Sequence, residues 1–557
     1  MEHRSRTRRE LIMRIAGIFA IVSLVLAPWA APTQAAGGPP DRTEVIVQGP
    51  NAMVALTAVR WRGGRVQNRL DVIDAVAAEL TPAEIETLVA SGFQVYENRD
   101  IQVADDDDAA ILEGHLAVSW TDWIHRKGLT GDGVTVAVID TGHWSTSAIE
   151  RDTEGRTRIK ATYDAIDDIV VQSMAPGGPG ADGHGHGTHV TSVILGSQRG
   201  EDGEYRSVAP DANLVSVRAF DENGAGTYFD VIRGIDWVVA NRAKLGIRVL
   251  NLSFSAEPQS HYWDDPLNQA VMRAWQAGIV VVAAAGNGGP DPMTVGVPGN
   301  VPYIISVGAM TDNYTPANRD DDYVTPFSAA GPTVEGFVKP DVIAPGAHIA
   351  GLMPADAAFP LAHPEFRVMG LDDDEDYHQA YYALAGTSQA AAVTSGIVAL
   401  MLDAEPSLSP DDVKCRLMSA ACPAQDENGQ LAYSIFQQGA GLVDTYASVD
   451  TGVVGCANVG LDVDADLEGK QHYGGLANQD PDTGEYYITD LNGYVWSGGY
   501  AWSGGTVWSG GYAWSGGYAW SGGYAWSGSY TWTDSPILDA GYVWSGGYAW
   551  SGQTGEP

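Results

Sequence analysis

The sequence predicts an α/β fold of three layers, in which a central mainly parallel sheet is covered by helices, and three observations carry that prediction. Short valine-rich apolar runs recur through the middle of the chain, at residues 134–139, 213–220, 248–254, 279–285 and 303–310. Helix-patterned segments at 227–244 and 266–277 lie between them. Strands that are apolar at nearly every position are buried on both faces, and strand–helix alternation joins parallel strands by crossovers. Third, two of these runs end in glycine beside a polar side chain, in Asp140-Thr-Gly142 and Gly286-Asn287-Gly288. The carboxyl edge of an open α/β sheet is where ligands and reacting groups gather.

The chain opens with five arginines among residues 4–14, an apolar run at 15–27 and the small residues of Thr33-Gln-Ala-Ala36. That order is a secretory signal peptide over residues 1–36, and its apolar run is shorter than the roughly 20 residues a spanning helix needs. Arg8-Arg9 also fits a twin-arginine signal. Export to the outside or the cell surface is expected. Residues 37–110 carry a separate small α+β pattern: a strand at 44–47, a helix at 81–90 opened by Thr81-Pro82, and a strand at 93–96. The acidic run Asp105-Asp-Asp-Asp108 marks an exposed junction before the large domain, residues 111–450.

The large domain places an aspartate, a histidine and a serine in three separated segments. Val136-Ala-Val-Ile-Asp140-Thr-Gly142 sets Asp140 at the end of a buried strand, and His184-Gly-His186-Gly-Thr-His189 sets His186 at a helix start. Ala385-Gly-Thr-Ser388-Gln-Ala390 sets Ser388 before a helix at 389–402. A hydroxyl becomes a competent nucleophile only when a base takes its proton, and a carboxylate holds that base. A serine at a helix amino end also faces backbone N–H groups and the positive end of the dipole, which favour an oxyanion. Asn287 supplies a side-chain amide donor for the same charge. The three histidines read alternatively as metal ligands, but no carboxylate or thiol follows them at ligand spacing.

These four motifs, in this order, resemble the subtilases, the subtilisin-like serine endopeptidases, over roughly residues 115–450. The resemblance implies Asp140 orienting His186, His186 as general base and then acid, Ser388 as nucleophile and Asn287 in the oxyanion hole. It also implies a substrate-lining edge at Ser253, Phe254, Ser255 and Gly286, polypeptide substrates and no cofactor for catalysis. Structural calcium, which relatives carry, would find acidic side chains in Asp320-Asp-Asp322 and Asp372-Asp-Asp-Glu-Asp376, although neither has an EF-hand spacing. Residues 37–110 resemble the family's propeptide, which implies an intramolecular inhibitor and a self-processed zymogen. The sequence departs from the family pattern at Thr191-Ser192, at Ser255 in place of glycine, and at Gln389–Ala392, which leaves the preferred residue at the cleaved bond open.

A net charge of −39 and a pI near 4.4 exclude nucleic acid as a partner, because phosphates repel such a surface. Three cysteines, Cys415, Cys422 and Cys456, allow one disulfide and one thiol in an exported chain, in any pairing. Residues 451–492 read as a linker. Residues 493–552 repeat Gly-Tyr-Ala-Trp-Ser-Gly with a six-residue period. An even period puts every tryptophan on one face of an extended chain, a surface for cell-wall carbohydrate or for another chain, whereas the Gly-Ser pairs argue for a disordered tail. The rival to a secreted endopeptidase is therefore a surface binding or adhesion protein that keeps a subtilase scaffold.

Overall fold

The structure is a computed structural model that describes residues 42–103, 115–200, 203–315, 318–368, 379–426 and 430–488, with Trp508–Ser509 and Gly511–Tyr512. The signal segment, the acidic runs at 105–108 and 372–376, and the rest of the tryptophan repeat lie outside the described residues.

The first part is a four-stranded antiparallel sheet in the order β2-β3-β1-β4, made of β1 (Thr43–Gln48), β2 (Arg65–Leu70), β3 (Ala75–Leu80) and β4 (Gln94–Glu97). Its two helices start where their side chains satisfy the first backbone N–H groups. Asn51 accepts from Val54 N ahead of Ala52–Trp61, and Thr81 and Glu84 form a reciprocal capping box with Pro82 in the first turn of Pro82–Ala90. Strand alternation divides the sheet. Val45, Val47, Val76 and Ala78 join Ala55, Val59 and Leu88 in a small core, while Ile46, Ala75 and Ala77 belong to the main core of the chain.

Beyond β4 the chain forms β5 (Asp100–Val103), which leaves that sheet altogether. It pairs antiparallel with β10 (Ala225–Thr227) on one side and β12 (Phe254–Ser255) on the other.

The main body is a nine-stranded sheet. Its strands are β6 (Thr135–Asp140), β7 (Ile159–Asp164), β8 (Ile169–Val171), β9 (Asn213–Arg218), β11 (Ile247–Leu252), β13 (Val280–Ala284), β14 (Ile305–Thr311), β15 (Tyr323–Val324) and β16 (Val342–Pro345). The order is β15-β14-β13-β11-β6-β9-β7-β8, with β16 beside β14. Pairing is parallel except for β7 with β8 and β14 with β15 at the margins. Every residue of β6 and β13 is buried, as the valine-rich apolar runs within them require. Two helix pairs cover the sheet: Tyr228–Leu245 with Pro266–Gln276, and His186–Leu195 with Thr387–Ala404. The valine runs are strands and the helix-patterned segments are helices, within two residues of the sequence-based bounds.

Two regions depart from the sequence reading. β17 (Ile349–Pro354) and β18 (Gln379–Leu384) form an antiparallel pair that was not anticipated, because it closes across a long intervening segment. The linker reading fails for residues 451–488. They carry the helix Val463–Leu467 and the hairpin of β19 (Ala477–Gln479) with β20 (Tyr486–Ile488), and Tyr473, Leu476 and Ile488 enter the main core. Cys415, on the helix Pro410–Ala420, is joined to Cys456 in a disulfide spanning 41 residues, and Cys422 is the free thiol. Polar composition suggested an open linker, but the buried carboxylate of Asp466 is satisfied by the Tyr262 and Tyr303 hydroxyls and by His472.

Candidate active site

Asp140 is the last residue of β6, and its Oδ1 accepts a hydrogen bond from its neighbour Thr141 N at 2.7 Å. The same oxygen lies 2.6 Å from His186 Nδ1, with both side chains buried. This contact puts the imidazole proton on Nδ1 and makes Nε2 the basic nitrogen. His186 is the first residue of the helix His186–Leu195, whose preceding Gly185 has φ 109°, a conformation that favours glycine.

What holds these two segments together is Asp182, a residue the sequence did not single out. Its buried Oδ1 accepts from Thr141 Oγ1 at 2.8 Å, Gly185 N at 2.7 Å and His184 N at 3.1 Å. Its Oδ2 accepts from Thr188 N at 2.8 Å and Thr188 Oγ1 at 2.6 Å. Thr141 Oγ1 in turn accepts from Gly187 N at 2.8 Å. One carboxylate thus ties the residue after Asp140 to residues on both sides of His186. Asp182 lies in a glycine-rich stretch with no periodicity, so its place just before the histidine motif is the one signal that would have pointed to it.

Ser388 lies in the first turn of Thr387–Ala404 and is fully buried. Its Oγ donates to Ser253 O at 3.0 Å, and its carbonyl accepts from Ser253 Oγ at 3.0 Å. Ser253 Oγ also accepts from Asn251 Nδ2 at 2.9 Å, and Asn251 Oδ1 accepts from Ser395 Oγ. These bonds pin the serine helix to the end of β11.

Asn287 follows β13 through Gly286, whose φ is 110°. Its Oδ1 accepts from Thr387 N at 3.0 Å and Thr387 Oγ1 at 2.8 Å, which fixes the orientation of the amide. Thr387 Oγ1 also accepts from Gly286 N at 3.1 Å. Asn287 Nδ2 is buried with no acceptor among the described residues. An amide anchored through its oxygen, beside the reactive serine's helix, presents its N–H groups as preset donors for a charge that appears only during reaction. Sequence reasoning found Asn287 but not Thr387.

The remaining histidines do not converge. His189 Nε2 lies 3.0 Å from Ile349 O and 3.1 Å from Tyr382 O, away from the His186 contact with Asp140. No group of three or more His, Cys, Asp or Glu side chains among the described residues is placed to hold a metal ion. At 320–322, Asp321 accepts from Thr315 and Asn318, and Asp322 pairs with Arg319. The hydroxyl of Ser192 donates to His189 O and accepts from Leu352 N, so this departure from the family pattern braces β17.

Residues 131–441 of the chain match the subtilase family model, Peptidase_S8. The chain belongs to the subtilase family of serine endopeptidases. This subtilase is 35% identical over 395 residues to "Serine protease AprX" of Bacillus subtilis (strain 168), an alignment spanning 69% of this chain and 81% of that protein. It is 29% identical over 400 residues to "Subtilisin E" of the same organism, spanning 70% of this chain and 87% of the relative. Its fold is similar to that of fervidolysin from Fervidobacterium pennivorans, with a TM-score of 0.56 at 20% identity, covering 80% of this chain and 67% of that one. Subtilases hydrolyse polypeptides without a catalytic cofactor.

Proposed function

We propose that this subtilase is a secreted endopeptidase made as a zymogen that cuts away its own amino-terminal module. In this reading Ser388 attacks the peptide carbonyl while His186 takes its proton, and Asp140 stabilises the resulting imidazolium. Asn287 and the Ser388 backbone N–H bind the oxyanion, and His186 returns the proton to the leaving amine. Water then releases the acyl-enzyme by the same path.

The single observation that carries the zymogen reading is the position of β5. An extended segment of the chain's own amino-terminal part lies antiparallel between β10 and β12, with Ile101 buried and Val103 opposite Phe254. The next residue of the wall, Ser253, holds the Ser388 hydroxyl. A strand added to two exposed strand edges is how an extended peptide is gripped by main-chain hydrogen bonds. The Cys415–Cys456 disulfide fits an oxidising compartment, as the signal segment does.

The test is the mass of the secreted product. Wild type is expected to start within a few residues after Val103, whereas Ser388→Ala retains residues 42–103 and loses about a millionfold in kcat, the scale known for this family's nucleophile. Equal processing of both, with no other protease present, would show that Ser388 does not cut the module away.

A further inference from the structure

A substrate strand paired with β12 as β5 is, residue for residue, brings the residue after the Val103 position opposite Ser253, where the Ser388 hydroxyl is held. The side chain of that residue, the one whose carbonyl is attacked, must enter the space beside Asn287 between β12 and the turn at 285–287. A third extended segment closes this space. Gly296 N donates to Ala285 O at 2.9 Å, while Val297 and Ala256 exchange main-chain hydrogen bonds at 2.8 and 3.0 Å. The space is therefore bounded by three backbones and by glycine at positions 286 and 296.

Bare glycine on two walls makes a slot deep enough for a large side chain. Here the slot is already occupied. Ser255 Oγ lies 2.8 Å from where a Cβ on Gly286 would stand, and nearer still to where one on Gly296 would stand. The hydroxymethyl group thus fills the room that the two glycines leave. An aromatic or long aliphatic side chain would have to displace it from between two main chains that cannot retreat, since each is hydrogen-bonded into its neighbours.

We propose that Ser255 sets the substrate class: the enzyme cuts after small residues, alanine, glycine or serine, and rejects large ones at that position. The proposal rests on the endopeptidase reading above. An independent sequence fact agrees with it, because the residue that follows Val103 in the chain is Ala104.

The experiment uses the matured enzyme and peptides that differ only at the residue before the cleaved bond. Wild type is expected to favour alanine over phenylalanine by about a hundredfold in kcat/KM, and Ser255→Gly to move that ratio toward phenylalanine by at least about tenfold. Cleavage maps of denatured casein by mass spectrometry give a readout on wild type alone, so the test does not depend on the variant folding. Cuts after Ala, Gly and Ser support the proposal. Equal use of Phe or Tyr by wild type, or an unchanged ratio in Ser255→Gly, overturns it while leaving the endopeptidase reading intact. Failure of Ser388 to react with a fluorophosphonate, with no peptide cleaved, overturns both.

Discussion

Residues 42–97 and the catalytic body both pack helices on a sheet, but they close their cores differently. The sheet of the body is mainly parallel, and its central strands are buried on both faces by helices that belong to the same body. The small sheet is antiparallel and owns helices on one face only; Ile46, Ala75 and Ala77 on the other face complete their burial against the main core. A segment this short buries too little apolar surface to be comfortably stable alone. The difference teaches that the amino-terminal module completes its core only against the body, whereas the central strands of the body are covered from within it.

The contrast can be broken first on the catalytic side. Asn287→Ala is expected to lower kcat about a hundred- to a thousandfold with little change in KM, because the donor acts on the oxyanion and not on the bound peptide. Steady-state kinetics on a peptide substrate check it, and a loss confined to KM would place Asn287 in binding instead.

The interface comes next. Asp236, on the helix Tyr228–Leu245, accepts from Asp71 N at 3.1 Å and Val72 N at 3.0 Å, and so caps a turn of the module from the body. Asp236→Ala is expected to raise the inhibition constant of the 42–103 peptide, added to matured enzyme, about tenfold, as loss of hydrogen bonds to a charged group would. A change below about twofold would mean that apolar contact alone docks the module.

A further expected effect lies inside the body and concerns acid. His143 is fully buried with no hydrogen-bond partner for either ring nitrogen among the described residues, and burial pushes its pKa down to about 4. As pH falls below the ordinary 6.5 the unfolded chain takes up a proton that the folded chain refuses until about 4. The stability contributed by this group is therefore complete above 6.5 and is lost as pH falls through that window, by about 3 kcal/mol. Urea unfolding at pH 7 and pH 4.5, in the Ser388→Ala background to prevent autolysis, should show a smaller acid loss in His143→Leu than in the histidine parent. An equal loss in both would move the acid sensitivity to other groups.

The sequence by itself determined the valine-rich strands, the helices between them and the positions of Asp140, His186, Asn287 and Ser388, because each depends on local pattern. Apolar runs bury wherever they fall, and a glycine-flanked polar residue at a strand end marks an edge. The tertiary structure alone decided what joins them. Asp182 reaches a threonine 41 residues before it, Thr387 orients an amide 100 residues before it, and β5 finds partners more than a hundred residues further on. None of these leaves a periodic trace, since a hydrogen bond between distant segments needs only one suitable atom at each end. Composition misled in one place, where the polar stretch after residue 450 packs through Asp466, Tyr473 and Cys456. Ser255 belongs to both accounts: the resemblance to the subtilases marked it as standing where the family carries a glycine, and only the folded chain put its hydroxyl between Gly286 and Gly296.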